Sequence, residues 1–314
     1  MDSDAEHEFG GSWTELKLDA ISDYLSFYTA ALRYKPRPDR PFVLWYVDAF
    51  AGSGERTSTR EIGGLLEGRP SSITRVQLDG SAKRAIAIAP PFHHLRFIEE
   101  NKTRFAALKK LELLHPNRDV QCLKGDANAK LAEIFTTSPW AHQVGGRGLH
   151  RAVVFLDPYA MSVKWSTLEL LAMTRAVDVW YLFPLHAVVR QMSHDFDAVD
   201  EHKSAKLNEI FGTTAWAQEL YQEPAQTSLW DEPVGRQRIV TVAQIEAYAK
   251  RRLESLFTYV SDPLPLLTDR GAQLFSLFCA SASSSDAARQ LIQKGVSHVL
   301  KKYRPSASRR RSGL

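Results

Sequence analysis

The apolar runs of this chain alternate with helix-like segments, and that alternation limits the fold more than any other feature. Phe42–Val47, His94–Asn101, Asp119–Asn128, Arg151–Ala160 and Val177–Pro184 read as strands. The segments "KTRFAALKKLELLH", Ala129–Phe135 and "STLELLAMTRA" follow the second, third and fourth of them with helical character. Strands that alternate with helices are expected to lie parallel in one sheet covered on both faces. Right-handed crossovers then bring every strand end to one edge. Asp48, Glu99, Asp126 and Asp157 stand at or just after such ends, which predicts a row of carboxylates along that edge.

The flanking segments complete an organisation. Residues 12–33 carry Trp13, Leu16, Ala20, Tyr24, Phe27 and Ala31 near one helical face, and "YKPRPDRP" breaks that helix. The stretch "ERTSTREIGGLLEGRPSS" from Glu55 is polar, with Gly63, Gly64 and Gly68, and reads as a loop, and "SSITRVQLDGSAKRAIAIA" after it mixes helix and strand character. Helical character runs through Val188–Gln222, a loop follows at Glu223–Gly235, and another helix covers roughly Val242–Phe257. Two strands joined by a turn at Asp269-Arg270-Gly271 precede a last helix, Ser285–Lys301. The expected organisation is a disordered N-terminus (1–11), one domain over 12–301 with a helical insertion at about 186–257, and a basic flexible tail (302–314).

At 314 residues and 44% apolar, the chain can bury a large core. It has no apolar stretch near the roughly 20 residues that cross a membrane. With an acidic, polar start, it is expected to be soluble and cytoplasmic. Cys122 and Cys279 are far apart, each in an apolar run, so two buried free thiols are expected rather than a disulfide or a metal site. Of 40 Lys+Arg, six lie near the C-terminus: Lys301, Lys302, Arg304, Arg309, Arg310 and Arg311. The rest carries 34 against 36 Asp+Glu, a balance of −2, so the positive charge is concentrated in the tail. Such an arm can bind nucleic acid through phosphates, or can simply be solvated.

"YVDAFAGSG", residues 46–54, ends the first strand in an acid and a Gly-x-Gly turn. No Gly-Lys pair follows, which excludes a Walker A loop. Thr57 stands where a dinucleotide fingerprint needs its third glycine, and Glu99 comes too late for a compact βαβ unit. Together with Glu99, the "GDAN" turn at 125–128 and "DPYA" at 157–160, the turn matches the ordered motifs of a class I S-adenosylmethionine-dependent methyltransferase. The candidate cofactor residues are Asp48, Phe50, Gly52, Gly54, Glu99, Asp126 and Ala127. Glycines let backbone approach the amino-acid end of the cofactor. Glu99 can accept from the ribose hydroxyls, and Asp126 from the adenine amine beside the small Ala127. Taken singly, Asp48 could cap its own turn, Glu99 could be a strand-end charge and Gly125-Asp126 an ordinary turn.

Asp157-Pro158-Tyr159 resembles the Asp/Asn-Pro-Pro-Tyr signature of enzymes that methylate nucleobase amines. There the side chain and a proline carbonyl accept from the target amine, and the aromatic ring stacks on the flipped base. In-line positioning supplies most of the rate. This chain has one proline instead of two, and Asp157-Pro158 could also simply end the strand.

The ordered set "WTELKLDAISDYL", "YVDAFAGSG", "LLEGRPSSI", "FIEEN", "VVFLDPYAMSVKWSTLELLA" and "DVWYLFPL" resembles the three-Cys-motif partner family, TcmP, from about Trp13 to Lys301. The resemblance implies an α/β, Rossmann-like class I methyltransferase sheet, mostly parallel and seven-stranded, with an antiparallel C-terminal hairpin and added helices. It also implies a protein partner bearing a three-cysteine motif that looks like a radical S-adenosylmethionine enzyme. Relatives of this pattern often have Gly after Asp-Pro-Tyr and Ser-Pro after Glu-Gly, where this chain has Ala160 and Arg69-Pro70. Two functions follow as expectations: methyl transfer from S-adenosylmethionine to a nucleobase amine, or a non-catalytic subunit that docks its partner on the same scaffold.

Overall fold

In the computed structural model, residues 12–64, 69–142, 148–223 and 235–304 are described. Helix α1 (Ser12–Leu32) precedes strand β1 (Val43–Asp48). A hairpin of β2 (Glu55–Gly64) and β3 (Arg69–Asp79) leads to a short helix α2 (Ser81–Ile86). Then come β4 (His94–Glu99), α3 (Lys102–Leu113), β5 (Asp119–Lys124), α4 (Ala127–Thr136), β6 (His150–Leu156), α5 (Trp165–Met173) and β7 (Val177–Phe183). Helices α6 (Leu185–Gln191), α7 (Glu201–Phe211) and α8 (Val242–Glu254) follow, with short pieces between them. The chain closes with β8 (Tyr259–Val260), β9 (Leu264–Leu267), β10 (Gln273–Ser281) and α9 (Asp286–Tyr303).

The central sheet is Rossmann-like and has eight strands in the order β8-β10-β7-β6-β1-β4-β5, with β9 also on β10. Pairings from β5 through β7 are parallel. Strand β10 runs antiparallel between β7 and the outer pieces. The expected outer strand is broken into β8 and β9, with Pro263, which has no N–H to donate, in the break. That break is why eight strands stand where seven were expected.

Strands β6 and β7 are apolar almost throughout because both faces of the sheet are covered. Alternate residues of β1 divide between the two layers. Leu44 and Tyr46 pack with α1, α2, α3 and α9, whereas Trp45 and Val47 pack with α4, α5 and the helices that follow β7. Gly295 lets α9 approach α1 closely, since a Cβ there would lie 2.5 Å from the Phe27 ring.

The stretch from Glu55, expected to be a loop, pairs as β2 with β3, most of which lies in the stretch of mixed helix and strand character, in an antiparallel hairpin. Thr57, Thr59, Ile62, Ile73, Thr74 and Val76 favour strand, and Gly63 and Gly64 belong to the far end of β2. Gly80 N donates to Gly54 O at 3.0 Å, so the hairpin is inserted at its base directly into the glycine turn. The last helix extends to Tyr303, where Lys302 Nζ and Tyr303 Oη reach Asp23 Oδ2 at 2.6 and 2.8 Å. The beginning of the expected basic tail is therefore folded onto α1, and Arg304 lies 3.8 Å from Asp262. Arg309, Arg310 and Arg311, like residues 1–11, lie outside the described residues. No helix among the described residues is long and apolar enough to cross a membrane. Both cysteines are buried and free, as expected.

Candidate functional site

Strand β1 is followed in sequence by β4 on one side and, later, by β6 on the other. The crevice at the carboxyl ends of β1 and β6 is therefore the topological switch point, where open α/β sheets bind ligands. A cavity of about 360 Å³ lies there. Its walls come from the Phe50–Gly54 turn, the Asp157–Ala160 segment, α1 through Trp13 and Lys17, and Phe275 on β10. Pro184 and His186, just past β7, complete the rim.

The glycine turn adopts left-handed backbone at Gly52 (φ 65°) and Gly54 (φ 76°), which side chains disfavour. A Cβ at Gly54 would meet Leu111 Cδ2 at 3.1 Å, whereas Gly52 borders open space. Asp48 lies beneath the turn, 0% exposed, and Oδ1 accepts from Phe50 N at 3.2 Å. Burial pushes its carboxyl up to about 7, and the Asp157 charge adds to this. The Ser81 hydroxyl favours the charged form, yet no group among the described residues meets Oδ2 in hydrogen-bond geometry.

Asp157 is held from α1. Lys17 is 4% exposed, and its Nζ donates to Asp157 Oδ2 at 2.5 Å. Lys17 also lies 5.2 Å over the Trp13 ring, which packs 5.0 Å from Phe275. The loop after Asp157 is clamped by Asn128. Its Oδ1 accepts from Lys164 N (3.0 Å) and Thr167 Oγ1 (2.8 Å), and its Nδ2 donates to Ser162 O (2.9 Å). Ala160 occupies left-handed backbone (φ 49°), so the position where glycine is common in the resembling pattern does require a glycine-like turn.

The other expected residues stand along the same edge, outside the cavity wall. Glu99 ends β4, 4% exposed, and accepts from Asn101 N at 2.7 Å. Arg104 Nε approaches its Oε1 to 3.4 Å, within ion-pair range but out of line for a hydrogen bond. The same guanidinium donates to Tyr159 Oη and lies 4.7 Å over the Tyr159 ring. Asp126 caps α4, its Oδ1 accepting from Ala129 N at 2.9 Å, with Ala127 buried behind it. The structure thus brings Phe50, Gly52, Gly54, Asp157, Pro158 and Tyr159 around one cavity, with Asp48 beneath it. Glu99, Asp126 and Ala127 occupy the neighbouring strand ends.

Reasoning from sequence passed over Trp13, Lys17, Arg104, Asn128, His186 and Phe275. Trp13 and Lys17 are one turn apart on α1, and a lysine on an otherwise apolar helical face was the signal available. Arg104 follows Glu99 by little more than one turn. Asn128, His186 and Phe275 carry no local sign, because their roles arise from contacts made only in the fold. Among the described residues no cluster of His, Cys, Asp and Glu could hold a metal ion.

No protein-family model matches the chain, and no curated protein matches it. Among solved structures it is similar to the crystal structure of protein LPL1258 from Legionella pneumophila str. Philadelphia 1, of the family model DUF519. The TM-score is 0.50 at 14% identity, covering 97% of this chain and 95% of that one. At that identity the likeness concerns the fold alone.

Proposed function

We propose that this protein is an S-adenosylmethionine-dependent methyltransferase that acts on a nucleobase amine in nucleic acid. One observation carries the reading: the Phe50–Gly54 turn and Asp157-Pro158-Tyr159 face one cavity at the switch point of the sheet. The strand order, with one antiparallel strand beside the outer edge, agrees with the sheet that the resemblance to the TcmP family implies.

The residues present fit the cofactor. The left-handed glycine turn leaves backbone accessible beside open space at Gly52, and Glu99 offers a buried carboxylate at the end of the next strand. Phe50, Gly52 and Gly54 would border its amino-acid end, Glu99 its ribose, and Asp126 and Ala127 its adenine. When bound, S-adenosylmethionine supplies an electrophilic methyl group.

The chain's own residues orient the acceptor. Lys17 engages Asp157 Oδ2, which leaves Oδ1 to accept a hydrogen bond from the target amine, with the Pro158 carbonyl as a second acceptor. Tyr159, 49% exposed, offers a face for the base, and the packed rings of Trp13 and Phe275 line the same cavity. The enzyme's work in this reading is alignment rather than strong base catalysis.

The test is transfer of labelled methyl groups from S-adenosylmethionine to pooled RNA and DNA. Transfer by the native chain and its loss in a folded Asp157→Ala variant is the expected result. No transfer to either pool from a chain that binds the cofactor would count against catalysis. One observation favours the second reading, a docking subunit for a three-Cys-motif protein: Arg104 occupies both Glu99 and the face of Tyr159. Stable co-purification with that partner, with a biological output indifferent to Tyr159→Ala, would identify such a subunit.

A further inference from the structure

A second cavity, of about 640 Å³, opens at the opposite edge of the sheet, where the parallel strands begin. Its size falls in the range of small-molecule sites. It lies between α1, the starts of β6 and β7 and the first turns of α9, and it shares no residue with the switch-point cavity.

The lining has three chemically distinct parts. Phe27, Tyr28 and Phe42 contribute aromatic rings. Asp178 contributes a carboxylate that is only 6% exposed. Its Oδ2 accepts from Tyr24 Oη at 2.8 Å, and the Ser281 hydroxyl, in register on β10, favours its charged form. Burial pushes this carboxyl up to about 6, so it is largely ionised at neutral pH. A carboxylate has about four acceptor positions, so beside the Tyr24 and Ser281 hydroxyls Asp178 can still accept from a donor in the cavity.

The third part is cationic. Lys35, Arg175 and Lys294 belong to the lining, and none of their side chains has an ion-pair partner among the described residues. Arg175 holds left-handed backbone (φ 52°), a conformation that costs a side-chain-bearing residue and tends to occur where a side chain is aimed at a ligand. Arg151, also in the lining, is engaged by backbone carbonyls and stacks over Phe42, 4.3 Å from the ring centroid. Three cations at one cavity, none of them in an ion pair among the described residues, outnumber its single carboxylate and suit an anion.

A ligand matching all three parts has a flat ring, a hydrogen-bond donor on that ring and a phosphate-like charge some distance away. We propose that this cavity binds a single nucleotide with an exocyclic amine, the base against the aromatic wall donating to Asp178 and the phosphate meeting Lys35, Arg175 and Lys294. The site is independent of the methyltransferase reading.

Calorimetry with AMP, purine riboside 5′-monophosphate, adenosine and inorganic phosphate tests it. AMP should bind at least tenfold more tightly than purine riboside 5′-monophosphate, which has neither the amine nor another donor on its six-membered ring, and than adenosine or phosphate, which each lack one half. Arg175→Gln with Lys294→Gln, both exposed, should weaken AMP at least tenfold without moving the melting temperature. S-adenosylhomocysteine should not displace AMP. Absence of AMP binding, equal affinity for purine riboside 5′-monophosphate, an unchanged double variant or displacement by S-adenosylhomocysteine would each overturn the proposal. A 5′-phosphorylated hexa-adenylate that binds more tightly than AMP assigns the site to a chain end, and one that binds more weakly assigns it to free nucleotide.

Discussion

Lys17 Nζ stands 2.5 Å from Asp157 Oδ2 across 140 residues of sequence, tying the first helix to the end of β6. With the lysine side chain 5% and the aspartate side chain 25% exposed, the pair is mostly desolvated. Removing one partner of such a pair leaves the other uncompensated, at a cost of about 2–4 kcal/mol. A double-mutant cycle of Lys17→Met and Asp157→Asn, measured by urea unfolding, should give a coupling of about 1–2 kcal/mol. Additive effects would show that the contact does not seat α1.

Stability should respond to Asp48 through pH. In the unfolded chain its carboxyl ionises near pH 4, and in the fold burial moves it up to about 7. Between these values the folded state holds the extra proton, so its contribution falls as pH rises, by at most about 4 kcal/mol. Asp48→Asn removes this dependence. Its stability relative to the native chain should rise by about 2–4 kcal/mol from pH 4 to pH 8. Parallel stability curves would place Asp48 in a more polar setting than the one described.

Ala160 carries backbone strain of about 1–2 kcal/mol in its left-handed turn. Ala160→Gly relieves it and gives back about 0.5–1 kcal/mol through the freer unfolded chain, for a net gain of about 0.5 kcal/mol. Ala160→Val should instead destabilise, because a branched side chain fits this region worst. Urea midpoints of the two variants should move in opposite directions.

Arg104 bridges Glu99 and Tyr159, the two groups that the proposed cofactor and substrate would use. Arg104→Gln frees both. Affinity for S-adenosylhomocysteine should rise by about threefold to tenfold, or roughly 0.6–1.4 kcal/mol. Weaker binding in this variant would make Arg104 a cofactor contact instead of a competitor.

Much of the sheet was legible because both-face burial writes continuous apolar runs, as in β6 and β7, and because strand ends such as Asp48, Glu99 and Leu156-Asp157 carry their own punctuation. The β2–β3 hairpin was only half legible: strand character shows in the stretch that holds most of β3, but Gly63, Gly64 and Gly68 signal loop beside the β-branched residues of β2, and no apolar run settles the matter. The glycine turn and Asp157-Pro158-Tyr159 were visible as motifs. Their meeting with Trp13, Lys17 and Phe275 was not, since those residues come from the two ends of the chain and join the site only through the packing of α1 and the insertion of β10. Asp126 shows the reverse case, where a motif residue has a plain local duty as the cap of α4.

The most direct test of the account is isothermal calorimetry of the native chain with S-adenosylmethionine and S-adenosylhomocysteine. One-to-one binding of both is predicted, weakened at least tenfold by Gly52→Val, which places a branched side chain on left-handed backbone. A chain that melts cooperatively yet binds neither compound would contradict the central claim.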